Sequence, residues 1–493
     1  MRILSLSLLL FVNITLLFGQ TEKEKVISTI EKSAIEGHIY FLADDLLKGR
    51  ETGTPENKIA ASYLANTLRT YGVKPNPLTG THYQEFQLQK MNAPTVLFLT
   101  IDGKEYKEKV AMQRSSVNYT GEAVYLGYGL EDDYKDKDVS EKYVIVKSGG
   151  PDAKDARAAF NLISQKTELA KKAGALGVIE LLNAQNQMWG FVEHNMNGDR
   201  LTQVSMEDEI SAKKGFSYLW LLDPDWAYAS QINTSENLKI SLKMDGEFSE
   251  KITTQNVIGV VEGTDPKLKN EYIIYSAHYD HVGIGTPDEK GDTIYNGARD
   301  NAVGTTTVLS MAQNLAKYPT KRSALFILFT GEEKGLLGSE YYVNNPVLPL
   351  KQMVYCFNSD NAGYNDTSLA TIVGLNRTTA SKDIKDAAAI FGLTATDDPA
   401  PEQGLFDRSD NVHFAKKGIP SPTYSLGFTA FNGDVTKYYH RPGDEANTLD
   451  YDYLLKFFRS YVMAGRLIAN NSTTPVWASG DKYEAVSKQL YND

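Results

Sequence analysis

From residue 255 onward the chain alternates short runs that are apolar throughout with stretches whose apolar positions recur at helical spacing. "NVIGVVEG" and "EYIIYSAHYD" predict strands, "NAVGTTTVLSMAQNLAKY" a helix, and "SALFILFTGEE" a strand. "GLLGSEYYVNN" predicts a helix and "MVYCFNSDN" another strand. Strands without an alternating polar face must be buried on both sides, so the pattern predicts a mainly parallel, doubly wound sheet flanked by helices. In such sheets ligands bind beyond the carboxyl ends of the strands. An amphipathic helix is expected over roughly 450–469, followed by a polar tail, 471–493.

Upstream, residues 24–73 read mainly as helix. "PENKIAASYLANTLRTYG" places Ile59, Ala60, Leu64 and Leu68 along one face and stops at Gly72. Between about 94 and 251 the character changes. The β-prone runs "TVLFLTI", "EAVYLGYG" and "KYVIVKSGG" surround a helical "FNLISQKTELAKKAGALG", which leads into "VIELLN". This stretch reads as a smaller inserted α/β domain and resembles the protease-associated domain; an unrelated α/β insert has the same pattern. The expected layout is a domain built from 24–93 plus 252–470, interrupted by the insert at 94–251.

The first nineteen residues carry Arg2, a long apolar stretch and Gly19 before polar "TEKEKV". That order predicts a cleaved signal peptide, 1–19, and a secreted or periplasmic protein; an uncleaved membrane anchor is the alternative. No stable membrane association is expected once the signal is removed. With 493 residues two or three domains are expected. The net charge of −11 argues against nucleic acid or anionic membrane as a partner. Cys356 is the single cysteine, so no intrachain disulfide can form, and its apolar neighbours predict a packed core thiol.

Polar residues gather where the predicted strands end. The first strand ends in His278, Tyr279, Asp280 and His281. Asp300 follows in "NGARDNAVGT", Glu332 and Glu333 close the next strand, Asp360 the one after, and "YYHRPGDE" supplies His440. Taken singly, each has an ordinary explanation; Asp300, for instance, is well placed to cap the helix after it. Together they put histidines and carboxylates on one sheet edge with no basic cluster beside them. Such charges repel one another unless cations intervene. Imidazole and carboxylate donors without thiolate suit zinc, and cobalt or manganese also fit.

The ordered set "HYD", "DNAVG", "GEE", "NSDNAG" and "YYH", with upstream "LLKGRETGTPENKIAASYLANTL", resembles peptidase family M28, the di-zinc aminopeptidase and glutamate-carboxypeptidase-like family. The resemblance implies two zinc ions per chain. His278 and Asp360 would complete one site, Glu333 and His440 the other, and Asp300 would bridge them. It implies peptide substrates, a hydroxide shared by the ions as nucleophile, and Glu332 as general base. Tyr439 would donate a hydrogen bond to the tetrahedral oxyanion or serve only as a packing aromatic. Asp280 would fix an imidazole from behind. Asp444 would orient His440 or else pair with Arg441. His281 matches no ligand and is expected to be a loop residue near the site. In "FDRSDNVHFAKKGIP" the family's histidine directly after Ser-Asp is replaced by Asn411, with His413 two residues later. The roles of Asp410 and His413 therefore stay open, with local capping the expected job.

An exported aminopeptidase is the leading expectation. A carboxypeptidase for acidic C-termini would need arginines in its pocket, and Arg299, Arg377 and Arg408 are candidates. A glutaminyl cyclase would use one zinc, and a receptor-like homologue would have lost ligands.

Overall fold

The computed structural model describes residues 20–492 apart from 114–115, 153–155, 186–187, 190–191, 194–195, 197, 205–215, 233–236 and 246–247. The expected signal peptide lies outside the described residues. The chain divides into two compact units, Met1–Glu85 with Gln255–Asp493 and Phe86–Thr254. The division falls at 85/86 and 254/255 rather than at the expected 93/94 and 251/252.

The larger unit is built on a sheet with the strand order Thr394–Asp397, Leu369–Val373, Thr423–Leu426, Met353–Ser359, Tyr272–His278, Ser323–Phe329 and Phe248–Val261. Tyr272–His278 lies in the middle and pairs in parallel with both neighbours. Leu369–Val373 runs antiparallel to Thr423–Leu426, and Val257–Val261 antiparallel to Ser323–Phe329. Alternate residues feed opposite cores. Ile273, Tyr275 and Ala277 join one apolar cluster, whereas Ile274 joins another with Leu325, Ile327 and Cys356. That two-sided burial is why these strands are apolar throughout.

Helix Tyr451–Asn470 covers one face, where Tyr461 stacks on Phe357 with ring centres 4.6 Å apart. Helix Pro55–Thr70 is started by Thr54, whose hydroxyl accepts from the Asn57 amide, and Ala60, Leu64 and Leu68 are buried along it. Ile59 is instead half exposed, and Ala61 and Ala65 complete the buried stripe. Gly72, with φ of +79°, follows the helix end.

The expected polar tail is folded. Trp477 is buried, its Nε1 donates to the Gly418 carbonyl at 3.0 Å, and helix Glu484–Asn492 follows. Arg377 lies over Phe406 and forms a two-pronged ion pair with Asp481 at 2.7 and 3.0 Å. One tryptophan in a polar stretch gives too little periodicity to predict an element, yet it is enough to anchor one.

Among the described residues, the smaller unit has its own sheet of eight strands. Val117–Tyr125, Tyr143–Lys147, Gly177–Leu182 and Ser217–Leu222 run parallel in its centre. Lys166, from helix Ala156–Lys172, reaches the buried Glu180 carboxylate, which also accepts from Tyr218 and Trp220. This network satisfies both charges inside the unit.

Candidate metal centre

Three strand ends and two loops converge in the larger unit. His278 is the last residue of the central strand. Its Nε2 lies 3.2 Å from Asp360 Oδ1 and 3.4 Å from Asp300 Oδ1. On the other side, His440 Nε2 lies 3.2 Å from Asp300 Oδ2 and 3.1 Å from Glu333 Oε2. Each oxygen of Asp300 thus faces a different histidine. The donors of His278, Asp300 and Asp360 lie within 4.8 Å of one another, as do those of His281, Asp300, Glu333 and His440.

The spacing tests whether an ion fits. Four ligands arranged tetrahedrally at about 2.0 Å from a zinc ion are about 3.3 Å from one another. The donor separations of 3.1–3.4 Å agree with that value. Moreover, His440 Nε2 is buried without a hydrogen-bond partner, which is unfavourable for a nitrogen that no cation satisfies. The residues therefore fit two divalent cations held by nitrogen and carboxylate.

Asp300 does not cap the following helix. It lies in the irregular turn Ala298–Val303 with φ −110° and ψ 91°, and the helix begins at Gly304 without a side-chain cap. Asn301 holds this turn by donating to the Ser359 carbonyl and accepting from the Gly304 amide. Arg50 carries no such signal in the sequence, yet its fully buried guanidinium donates to the carbonyls of Leu42, Tyr279, Asn296, Gly297 and Asp300. It ties the segment after His278 to the turn carrying Asp300. Burial lowers its pKa to about 10, against the pull of Asp300, Asp280 and Asp444.

Glu332 and Glu333 follow the strand Ser323–Phe329 in the break that Gly331, at φ +79°, provides. Asp280 fixes the pair. Its carboxylate accepts from the amides of Glu332 and Glu333 at 3.3 Å each, and from Thr52 at 2.9 Å. The expectation that its carboxylate holds an imidazole needs correction. His278 Nδ1 is 3.2 Å from the Asp280 backbone carbonyl and 3.8 Å from its carboxylate.

Asp444 also differs from expectation. It pairs with Arg299 at 3.0 Å and accepts from the amides of Arg299 and Asp300, not from His440 or the Arg441 side chain. It therefore acts on the bridging carboxylate's backbone. Asp410 makes no capping bond; both its oxygens are buried without a hydrogen-bond partner. Burial pushes its carboxyl up to about 7, although the charge of His278 opposes this. His413 sits in the last turn of that short helix, its imidazole lowered by burial to about 4. His281 lies outside the named strands and beside the site, as expected, but it is no exposed loop residue. The residue is fully buried, and its Nδ1 lies 2.7 Å from Glu333 Oε1.

The protein's own charges separate the two adjacent glutamates. Burial raises the Glu332 carboxyl well above the usual range, and Asp360 and Glu333 add to it against the pull of His278. Burial also works to raise Glu333, but His440 and His281 hold it well below that range. The neighbouring His278 and His440 imidazoles hold Asp300 down to about 2, despite burial and the repulsion of Glu333. Burial keeps the proton on Tyr439, reinforced by Asp300 and Glu333, and its ring stacks on His440 at 3.9 Å.

These groups line one cavity with Val373, Leu405, Phe428 and Phe431 as an apolar wall and Arg408 at its edge. Arg408 lies 5.9 Å from the Phe431 ring centre and carries no ion pair among the described residues. Arg299 and Arg377 are committed to Asp444 and Asp481.

Comparison with known proteins agrees with this geometry. Residues 256–464 match Peptidase family M28. Aminopeptidase YwaD of Bacillus subtilis is 32% identical over 202 residues, 39% of this chain and 40% of that protein. A probable leucine aminopeptidase 2 of Aspergillus fumigatus is 28% identical over 407 residues, 76% of this chain and 71% of that protein. Among solved structures, the aminopeptidase from Aneurinibacillus sp. strain AM-1 superposes with a TM-score of 0.64 at 22% identity, covering 93% of this chain and 98% of the other. The zinc aminopeptidase BSAP from Bacillus subtilis gives 0.53 at 21% identity, covering 92% and 97%. The strand order, the paired histidine-carboxylate clusters and the matched sequence all point the same way: residues 256–464 of this chain match peptidase family M28.

Proposed function

We propose that this protein is an exported di-zinc aminopeptidase that hydrolyses N-terminal peptide bonds. The observation that carries the reading is the placement of the two Asp300 oxygens, one toward His278 and one toward His440. His278, Asp360 and Asp300 would hold one ion, and His440, Glu333 and Asp300 the other. Ions bound there supply Lewis acidity to the scissile carbonyl and acidity to water.

The chain's own groups do the rest. Glu332 lines the cavity with its Oε2 4.0 Å from His278 Nε2, farther than the Asp300 and Asp360 oxygens, and its burial raises its basicity. It takes the proton from the attacking water and delivers it to the departing amine nitrogen. Tyr439 keeps its proton and donates to the developing oxyanion. The apolar wall of Val373, Leu405 and Phe428 would receive an uncharged side chain. Asp280 and Asp444 hold the backbones of Glu332, Glu333 and Asp300 in place.

Arg408 supports a second reading, a carboxypeptidase for acidic C-termini, because it is a cation in the cavity wall with no ion pair among the described residues. The test is an aminoacyl and acyl-peptide substrate panel, together with zinc analysis of the wild type and Glu332→Gln. The expected result is about two ions per chain in both proteins, cleavage of free-amine substrates, and a loss of about 10²–10⁴ in kcat for the variant. Full turnover by Glu332→Gln would remove Glu332 as the proton carrier, and a single ion per chain would favour cyclase chemistry.

A further inference from the structure

His281 is buried completely on the Glu333 side of the cluster, and no role follows for it from the ion-holding set above. Its Nδ1 lies 2.7 Å from Glu333 Oε1, and its ring centre is 5.4 Å from that of His440. Two ligands of one zinc ion would be about 3.3 Å apart, so 2.7 Å is too short for shared coordination and suits a hydrogen bond. A carboxylate that holds a cation is ionised and only accepts, so at 2.7 Å Nδ1 carries the proton and donates. Glu333 Oε1 is thereby occupied, and Oε2 is the oxygen left facing His440 Nε2 at 3.1 Å. The ring itself is wedged against Gly297, where an added Cβ would lie 2.5 Å from His281 Cδ2, so it has no room to turn away.

We infer that His281 is a positioning residue: it selects which Glu333 oxygen meets the cation shared with His440, and so sets the affinity of that one site. The inference rests on the di-zinc reading and adds a determinant to it. Partners of this kind, hydrogen-bonded to a ligand, typically change metal affinity by about 10–100-fold.

The experiment measures zinc binding, with zinc alone as the probe, for the whole chain and for His281→Ala and His281→Asn after chelator treatment. Competition with a chromophoric chelator resolves two binding steps, and the metal-free melting midpoint is recorded for each protein. His281→Ala should weaken one step by about 10–100-fold and leave the other within about threefold. His281→Asn, whose amide nitrogen can donate close to the position of Nδ1, should recover most of that loss. Two unchanged steps in His281→Ala overturn the inference. So does an asparagine variant that folds like the wild type yet binds no better than the alanine variant. Should His281→Ala fail to fold, the asparagine variant decides alone: near-normal binding supports the hydrogen-bond role, and a lost step overturns it. A wild type that binds fewer than two ions instead overturns the di-zinc reading, a separate and recognisable failure.

Discussion

Replacing Arg50 by methionine removes a cation that joins the helical N-terminal segment to the segment after His278 and the turn carrying Asp300. The guanidinium makes contacts at 2.7 Å to Tyr279 O, 3.0 Å to Leu42 O and 2.7 Å to Gly297 O, with further contacts to Asn296 O and Asp300 O. A hydrogen bond to a charged group contributes about 1.5–3 kcal/mol, but burying a guanidinium costs several kcal/mol in return. Removing one partner of such a network leaves the carbonyls unsatisfied, and the net loss is expected at about 3–5 kcal/mol. Arg50→Lys keeps the charge but has three donors, so two carbonyls go unserved and about 2 kcal/mol is lost. Urea-dependent hydrogen exchange of amides in Tyr272–His278, read by mass spectrometry, reports on this unit apart from the insert. Zinc content should fall in parallel, because the turn at 297–300 loses its clamp. If Arg50→Met unfolds within about 1 kcal/mol of the wild type and retains its zinc, the structural role assigned to Arg50 is wrong.

Other outcomes follow from the same geometry. Tyr439→Phe should lower kcat by about 10–1,000-fold with little change in KM or melting, and an unaffected kcat would make the residue only a packing aromatic. Arg408→Ala should cut kcat/KM about tenfold for substrates that present a carboxylate to the cavity and spare apolar N-terminal residues; equal effects on both classes would exclude a selective role. His38, hydrogen-bonded to Tyr63 and Tyr71 at 2.7 and 2.9 Å, is lowered by burial to about 4. The unfolded imidazole protonates first, near 6.5, so this contribution is complete above that pH and lost as pH falls toward 4. It is worth about 2 kcal/mol after allowance for solvent at the ring. Chelated His38→Phe should show a shallower acid decline in melting midpoint than the chelated wild type, and equal slopes would contradict the assignment.

The sheet was legible because strands such as Ser323–Phe329 are apolar at every position, a pattern that only two-sided burial explains. The residues at strand ends were legible as a set because their chemistry is conspicuous once they share an edge. Arg50 was not, because a buried guanidinium answering backbone carbonyls leaves no partner pattern in the sequence. For a related reason the sequence shows His281 only as a loop residue near the site. Its importance comes from Glu333, 52 residues away, and becomes visible only when the 2.7 Å contact is measured. Asp444 looked like a partner for its neighbours, whereas the chain turns it toward Arg299 and the Asp300 amide. Trp477 shows the reverse case, where a single side chain organises a stretch whose average composition suggests none.

On the proposed reading, the divided allegiance of Asp300 makes occupancy a joint property of the centre. Its carboxylate brings one negative charge to two nitrogens 3.4 and 3.2 Å away. The first cation to arrive fixes the plane of that carboxylate for the second while drawing charge away from it. Preorganisation and charge depletion thus oppose each other, and intermediate loading states should differ in their appetite for metal from either the empty or the saturated chain.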